Sequence, residues 1–275
     1  MVAEDAAAAL RAAAARLAPA SGTPRLDAEI LFAYALSITR EALILKLHTY
    51  PVPEHLSVLI DRRLAGEPIA HITGTRDFWT LSLRVTPDVL IPRPDSETLI
   101  EAALDHFKGR APARILDLGT GSGALLLAAL DEWRDARGLG VDLSEAALAV
   151  ARDNAQRLGM AARATFQLGD WGAGLAARFD LILANPPYIS AHAMLPRDVL
   201  HYEPHLALFA GGDGLDAYRV IAPQIAALLA PGGLAAIEIG FDQGNSAAAL
   251  FVAQGLAVTV RQDLAKHDRC LEIRG

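Results

Sequence analysis

The spacing of apolar residues divides the chain into a helical part, a short alternating part and a longer part in which strands and helices alternate. From about residue 5 to residue 65, apolar side chains recur at helical spacing, as Leu56, Leu59 and Ile60 do. Prolines and glycines interrupt this pattern at short intervals. We therefore expect several short helices that pack as a small bundle.

A pattern of period two follows the helical part. Trp79, Leu81 and Leu83 alternate with polar residues, and Pro87 breaks the run. The alternation predicts a β-hairpin that joins two domains.

The rest of the chain alternates between apolar strand-like segments and helical stretches. The strand-like segments are residues 114–118, 138–142, 164–168, 180–184 and 234–239. Such alternation predicts a mostly parallel sheet with helices on both faces, an α/β fold. Because sheets of this kind bind ligands at the carboxyl ends of their strands, the residues that follow each strand are candidate site residues.

Composition and charge restrict the class of protein. Of the 275 residues 52% are apolar, which is enough for a full core, and the net charge of −7 argues against bulk attraction to nucleic acid. The lone Cys270 excludes an intrachain disulfide framework, and the eight histidines show no spacing typical of metal ligands. We expect a globular cytoplasmic protein without a bound metal.

The apolar segments also argue against a membrane protein. The Ala-rich start carries charges such as Glu4 and Arg11, which fit an amphipathic helix better than a secretion signal. No segment contains about eighteen apolar residues without a charge, so we expect no membrane-spanning helix.

A glycine-rich loop follows the first strand of the α/β part. It runs Gly119-Thr120-Gly121-Ser122-Gly123. Glycines allow a ligand to approach the backbone and expose N–H groups at the start of the next helix. The next strand ends at Asp142, whose carboxylate can accept hydrogen bonds from ribose hydroxyls. The two features indicate a nucleoside-containing cofactor, although the loop alone is equally compatible with NAD-like and S-adenosylmethionine-like ligands, or with a structural turn.

The third strand leads into Asp170 and Trp171. The carboxylate of Asp170 can bind a purine amino group, and the indole of Trp171 can pack on the purine face. A partly buried core aromatic is the alternative interpretation of Trp171.

The fourth strand ends in a segment that contains hydrogen-bond acceptors and few donors. Its sequence is Asn185-Pro186-Pro187-Tyr188. Both prolines lack an N–H, so the segment offers carbonyl oxygens and the side-chain oxygen of Asn185, with Tyr188 as an aromatic wall. These groups suit the binding of an NH2 group, whereas a strand-terminating turn is the other interpretation. A nucleoside site beside an NH2 site predicts group transfer to nitrogen.

Three further polar residues carry weaker signals. Arg93 lies between two prolines, where it could close over a cofactor carboxylate or belong to a plain linker. We interpret Glu238 as a partner in a polar network and His201 as a surface residue.

Several segments together resemble one known family. They are Gly66-Glu67-Pro68-Ile69-Ala70-His71-Ile72-Thr73-Gly74, Val89-Leu90-Ile91-Pro92-Arg93-Pro94-Asp95-Ser96-Glu97, Tyr202-Glu203-Pro204 and Gly211-Gly212-Asp213-Gly214-Leu215. With the glycine loop, Asp142 and Asn-Pro-Pro-Tyr, they resemble the peptide chain release factor N5-glutamine methyltransferases, the PrmC/HemK family of class I S-adenosylmethionine-dependent methyltransferases. The family usually has a glycine near Thr80 and commonly reads Pro-Glu-Thr-Glu at residues 94–97, so this chain departs from the pattern at both places.

The resemblance implies a fold in three parts. Residues 1–75 would form an N-terminal helical-bundle domain that recognises the substrate, and residues 76–92 a β-hairpin linker. Residues 93–275 would form a Rossmann-like class I methyltransferase domain, with a mostly parallel seven-stranded sheet whose last strand pair is antiparallel.

The resemblance also implies a reaction. The enzyme would transfer a methyl group from S-adenosylmethionine, leaving S-adenosylhomocysteine, to N5 of the glutamine in the Gly-Gly-Gln motif of release factors. We expect the release factor to be the partner, with no direct binding to nucleic acid and none to a membrane.

Each candidate residue receives a role in this hypothesis. The cofactor-binding residues are Gly119, Thr120, Gly121, Ser122, Gly123, Asp142, Asp170, Trp171 and Asn185. The catalytic residues are Asn185, Pro186 and Tyr188, which together with Pro187 also form the substrate site. The side-chain oxygen of Asn185 and the carbonyl of Pro186 would accept the two amide hydrogens, and Tyr188 would pack on the glutamine side chain and stabilise nearby positive charge.

Three alternatives remain at this stage. The substrate could be a glutamine of a ribosomal protein. A nucleic-acid adenine-N6 methyltransferase would share Asn-Pro-Pro-Tyr, because adenine also presents an NH2 group, but it needs base flipping and a basic channel. A non-catalytic adaptor would have no need of the glycine loop, Asp142 and Asn185 together.

Overall fold

The computed structural model describes residues 5–194 and 196–275. Residues 1–4, which include Glu4 of the Ala-rich start, and residue 195 lie outside the described residues. The chain divides into two units, one that takes in residues up to Thr75 together with Pro196–Tyr202, and one that takes in residues from Arg76 onward together with Glu203–Gly275.

The described part of the first unit is helical, which confirms the predicted N-terminal helices. Its helices are α1 (Ala6–Leu17), α2 (Pro24–Ala35), α3 (Arg40–Lys46), α4 (Leu56–Leu64) and α5 (Ile69–Thr73), together with Arg197–Tyr202, which is α9 in chain order. Asp5 caps α1 by accepting a hydrogen bond from the N–H of Ala7 at 3.0 Å. Leu17, Phe32 and Leu43 are completely buried, so the apolar stripes of α1 to α3 form the core of this unit.

Strands β1 (Thr75–Phe78) and β2 (Leu81–Arg84) form a two-stranded sheet. Trp79 lies in the turn between them rather than in a strand, with a φ of +55°. That conformation is unfavourable for a residue with a side chain. Two hydrogen bonds hold Trp79 there, from its backbone N–H to Glu97 (2.9 Å) and from its indole N–H to Glu132 (2.6 Å).

The second unit contains a seven-stranded sheet. Its strands are β3 (Arg114–Leu118), β4 (Arg137–Asp142), β5 (Ala164–Leu168), β6 (Phe179–Ala184), β7 (Leu229–Glu238), β8 (Ala257–Gln262) and β9 (Asp268–Arg274). The spatial order is β5-β4-β3-β6-β7-β9-β8. Strands β3 to β7 pair in parallel, whereas β9 is antiparallel to both β7 and β8. The predicted mostly parallel sheet is confirmed.

Helices cover both faces of this sheet. They are α6 (Glu97–His106), α7 (Ala124–Glu132), α8 (Glu145–Arg157), α10 (Asp216–Leu228) and α11 (Gly244–Val252). Successive strand residues belong to different buried clusters, since Leu181 packs with the leucines of α7 and Ile182 packs with the isoleucines of α10. Among the helices of the described residues, none has the length and apolar character needed to cross a membrane.

The strand order positions the candidate site. The chain runs outward from β3 through β4 to β5 and then returns to place β6 on the other side of β3. The carboxyl ends of these four parallel strands therefore meet at one edge of the sheet, beside the point where the strand order reverses.

Candidate active site

The glycine loop turns the chain sharply between β3 and α7. Gly119, Gly121 and Gly123 have φ values of +71°, +54° and +83°, which favour glycine. A Cβ at Gly119 would also lie 3.1 Å from the Trp171 ring. The loop N–H groups are partly engaged within the protein, because those of Gly119 and Thr120 donate to the carbonyl of Val141 at 2.8 and 3.0 Å. The glycines thus provide backbone shape and close approach, whereas fewer N–H groups are available to a ligand than the sequence suggested.

Asn154, which the sequence analysis missed, holds this loop from α8. Its side-chain NH2 donates to the carbonyls of Ser122 (2.9 Å) and Arg84 (3.0 Å), and its Oδ1 accepts from the N–H of Arg84 (2.7 Å). The side chain is buried, so this one residue ties the glycine loop to strand β2.

Asp142 ends β4 and faces the same cavity as the loop. Its two oxygens accept hydrogen bonds from the N–H groups of Gly121 (2.8 Å) and Ser144 (2.9 Å). Each carboxylate oxygen can accept more than one hydrogen bond, so both retain capacity for the hydroxyls of a ribose.

Asp170 and Trp171 follow β5 and also line the cavity. Asp170 is exposed, and Trp171 has a φ of +52° and packs with the apolar cluster beneath α10. The indole therefore belongs both to the core and to the cavity wall, so the two interpretations of Trp171 are compatible.

Asp117, at the buried end of β3, is a second residue that the sequence analysis missed. The hydroxyl of Thr120 donates to its Oδ2 at 2.6 Å, whereas Oδ1 is a buried acceptor that no hydrogen bond satisfies among the described residues. Burial raises the pKa of Asp117 to about 7. An unpaired acceptor beside a ligand cavity fits a ligand with a positively charged or N–H donor group. The signal in the sequence was an acidic residue between the apolar residues Leu116 and Leu118 of a buried strand.

The four residues after β6 occupy different positions. Asn185 and Pro187 line the cavity, whereas Pro186 is buried and Tyr188 is partly buried, and neither of these two lies on the cavity wall. The hydroxyl of Tyr188 donates to Glu238 at 3.3 Å, and burial raises its pKa. The structure brings Asn185 into the same cavity as the glycine loop, Asp142, Asp170 and Trp171.

A buried chain of hydrogen bonds leads away from Asn185. Its Nδ2 donates to the hydroxyl oxygen of Ser96 at 3.0 Å, and the hydroxyl of Ser96 donates to Glu238. Ser96 is 3% exposed and Glu238 is 1% exposed. Glu238 is thus a polar network partner, as the sequence indicated, but no feature of the sequence predicts that the network reaches Asn185.

Arg93 has a definite partner in the protein. Its guanidinium forms an ion pair with the buried carboxylate of Glu203, which also accepts a hydrogen bond from the N–H of Ile91 at 3.3 Å. The neighbouring Pro92 lines the cavity, whereas Arg93 does not. The contacts therefore favour a role for Arg93 in fixing the segment beside the cavity. His201 is exposed in α9.

The cavity that these residues share has a volume of about 470 Å³. This lies within the range of roughly 300–1,000 Å³ typical of small-molecule sites. Its wall combines the glycine loop, five aspartates that include Asp117, Asp142 and Asp170, and the indole of Trp171, a set that fits a nucleoside carrying an amino-acid group.

Comparisons with known proteins agree with this arrangement. The family model described as the PrmC N-terminal domain matches residues 8–74, and the model described as a methyltransferase domain matches residues 110–250. The release factor glutamine methyltransferase of Cereibacter sphaeroides is 47% identical over 274 residues, which cover 97% of each chain. That of Rhodospirillum rubrum is 44% identical and covers 91% of this chain and 79% of its own.

Solved structures share the fold. One is the 16S rRNA N2 G1207 methyltransferase (RsmC) of Thermus thermophilus in complex with AdoMet and guanosine, with a TM-score of 0.52 and 19% identity over 73% of this chain and 50% of that chain. At this identity the likeness concerns the fold alone. The two release factor glutamine methyltransferases, at 44% and 47% identity, identify the family. The chain is a methyltransferase and belongs to the release factor glutamine methyltransferase family.

Proposed function

We propose that this enzyme transfers a methyl group from S-adenosylmethionine to the side-chain amide nitrogen, N5, of the glutamine in the Gly-Gly-Gln motif of release factors. The observation that carries the proposal is the orientation of Asn185. Its NH2 group is taken by Ser96, and among the described residues none donates to its Oδ1. An acceptor in the cofactor cavity is what a substrate NH2 group requires.

The residues around the cavity fit the cofactor. Asp142 would accept the ribose hydroxyls, Asp170 and Trp171 would hold the adenine, and the orphan oxygen of Asp117 would accept the ammonium group. The glycine loop would lie against the amino-acid part. When bound, S-adenosylmethionine supplies an electrophilic methyl group on a sulfonium.

The protein must orient a weak nucleophile. The amide lone pair is delocalised into the carbonyl, the same resonance that gives peptide bonds a rotation barrier of about 18–20 kcal/mol. Asn185 Oδ1 and the Pro186 carbonyl would accept the two amide hydrogens and aim the nitrogen at the methyl group. Orientation of this kind supplies several kcal/mol of a barrier. Pro187 would pack on the substrate from the cavity wall. Tyr188, whose hydroxyl donates to Glu238, would support Pro187 from outside the cavity.

The proton balance needs no dedicated base. As the N–C bond forms, the amide nitrogen becomes acidic, and one of its two hydrogens leaves along a hydrogen bond that is already made, to Asn185 Oδ1 or to the Pro186 carbonyl, and passes to solvent. The remaining hydrogen stays on the methylated nitrogen.

The two units would have different roles in the reaction. The first unit would recognise the release factor outside its glutamine loop, and the second would perform the chemistry. A reaction on release factors would place the enzyme in the cytoplasm, where translation terminates. The net charge of −7 gives no support to direct nucleic-acid binding.

A comparison of substrates tests the proposal. The purified protein is incubated with labelled S-adenosylmethionine and, in parallel, with a release factor, a ribosomal protein glutamine substrate and duplex DNA, and the label is mapped by mass spectrometry. We expect label on the release factor alone. Label on DNA adenine, or on the ribosomal protein in preference, would contradict the proposed substrate.

A further inference from the structure

The two hydrogen bonds that connect Asn185, Ser96 and Glu238 donate in the same direction, from Asn185 to Ser96 and from Ser96 to Glu238. Ser96 ends the 3₁₀ turn Pro94–Ser96, and Glu238 ends β7, so residues 89 and 142 positions apart in the sequence meet in one buried chain. An ionised carboxylate can only accept hydrogen bonds, so the single hydroxyl hydrogen of Ser96 points to Glu238. The oxygen of Ser96 then faces Asn185 as an acceptor, and only the NH2 end of the amide can satisfy it.

We propose that Ser96 and Glu238 form a positioning relay, in which ionised Glu238 fixes the hydroxyl of Ser96 and thereby holds the Asn185 amide with Oδ1 toward the substrate. The inference rests on the proposed function, which assigns Oδ1 to the glutamine NH2. Glu238 acts on Asn185 only through Ser96, so it is a positioning residue for the reaction.

Protonation of Glu238 releases the relay. A neutral carboxyl can donate its own hydrogen to the Ser96 oxygen, which frees the Ser96 hydroxyl to donate to Asn185. The amide can then turn over, with Oδ1 toward Ser96 and NH2 toward the cavity. A donor facing a substrate NH2 makes no hydrogen bond with it, so the turned amide is inactive.

The surroundings of Glu238 set the pH at which this change occurs. Burial raises the pKa of Glu238 to about 7, against the hydrogen bond from Ser96 and the charge of Arg269, which lower it. The charged and titratable groups that act on Glu238 or pair with those that do are Asp95, Tyr188, Tyr218, Asp263, Arg269 and, opposite it on β9, Cys270. Arg269 pairs with Asp95 and with Asp263, each at 3.3 Å. Its positive charge therefore acts on these two carboxylates as well as on Glu238.

The composition of the chain allows the amide to be observed directly. The sequence contains three asparagines, Asn154, Asn185 and Asn245, so ¹⁵N-asparagine labelling gives three side-chain NH2 signals. The signal lost in Asn185→Ala identifies Asn185. Asn154, whose NH2 donates to two backbone carbonyls, serves as the buried internal reference.

The first test is a pH titration of these signals in the free enzyme. We expect the Asn185 NH2 signal to shift with a midpoint near pH 7 in the wild type and in Ser96→Thr, which keeps the hydroxyl, and to lose this shift in Ser96→Ala. A wild-type Asn185 signal that does not move between pH 6 and 8, or one that moves equally in Ser96→Ala, overturns the relay. This test needs no substrate, so it separates failure of the relay from failure of the proposed function.

The second test is kinetic. In Ser96→Ala we expect kcat for release factor methylation at pH 8 to fall by about tenfold, the effect of one lost orienting hydrogen bond, with the KM for S-adenosylmethionine unchanged. The wild-type fall in kcat toward acid pH should disappear in this variant, and Ser96→Thr should restore both properties. Ser82→Ala, on the exposed side of β2, is the matched control and should behave as the wild type. A Ser96→Ala enzyme with wild-type kcat, or with the wild-type acid limb intact, overturns the relay.

Discussion

Replacement of Glu238 by Gln should make the stability of the second unit less dependent on pH. The carboxyl is 1% exposed, and burial raises its pKa from 4.5 to about 7. The folded protein therefore keeps this proton to a higher pH than the unfolded chain does. A carboxyl with a raised pKa stabilises the folded state fully below about pH 4.5, and this stabilisation is lost as the pH rises through about 7.

The size of the effect follows from the shift. With 1.36 kcal/mol for each pKa unit, the full linkage is about 3 kcal/mol, of which about 2.5 kcal/mol falls between pH 5 and pH 8. Burial also raises the pKa of Asp117 to about 7, so the wild type should lose roughly twice this amount over the same range. Glu238→Gln should lose about half as much as the wild type.

Urea unfolding at several pH values, followed by tryptophan fluorescence, measures this difference. The three tryptophans, Trp79, Trp133 and Trp171, all lie in the second unit, so the signal reports on that unit alone. Comparison at each pH cancels the contribution of every other titrating group. Parallel curves of unfolding free energy against pH for the wild type and Glu238→Gln, or a larger loss in the variant than in the wild type between pH 5 and pH 8, would contradict this prediction.

Three further variants test the site. Asp142→Ala should weaken S-adenosylhomocysteine binding by about a hundredfold or more, because two charge-assisted hydrogen bonds of about 1.5–3 kcal/mol each are lost; an unchanged affinity in calorimetry would exclude the ribose role. Asn185→Ala should lower kcat by about 10²–10³ while cofactor affinity stays within about threefold, and near-normal turnover would exclude the acceptor role. Gly119→Ala should destabilise the protein by roughly 1–2 kcal/mol, since its φ is +71° and the new Cβ would lie 3.1 Å from the Trp171 ring; a wild-type melting temperature would contradict this estimate.

The positions of the parallel strands could be inferred from the sequence because each strand is a continuous apolar run. Buried parallel strands such as β3 and β6 leave that signature, and the segments predicted at residues 114–118 and 180–184 match them closely. Strands β8 and β9 were expected only from the family resemblance. In β8 all six residues are exposed or partly buried, and three of them are polar or charged, so its apolar signal is weak.

The position of the hairpin turn at Trp79 could not be predicted from the apolar pattern. Its period-two pattern predicted a strand, because alternation does not reveal where a hairpin turns. Trp79 adopts a φ of +55° only because Glu97 and Glu132, which are distant in the sequence, bind its two N–H groups. The family usually has a glycine near this point, the residue that favours such a φ.

Some residues of the candidate site could likewise be predicted from the sequence, and others could not. Residues at or just after strand ends, such as Asp142 and Asn185, could be placed from the sequence because the topology itself brings strand ends together. The link from Glu238 through Ser96 to Asn185 could not be predicted, since it depends on contacts between residues far apart in the chain. A serine in a turn and a glutamate at a strand end have many ordinary structural roles, and only three-dimensional contacts distinguish a link to Asn185.

The identity of the methylated atom decides whether the enzyme acts on the glutamine of release factors. The enzyme is incubated with labelled S-adenosylmethionine and a release factor, and with a matched release factor in which the glutamine of Gly-Gly-Gln is replaced by glutamate. Fragmentation mass spectrometry then locates the label. We predict one methyl group on the side-chain nitrogen of that glutamine and none on the variant; label at another residue, or equal labelling of the two factors, would contradict the account.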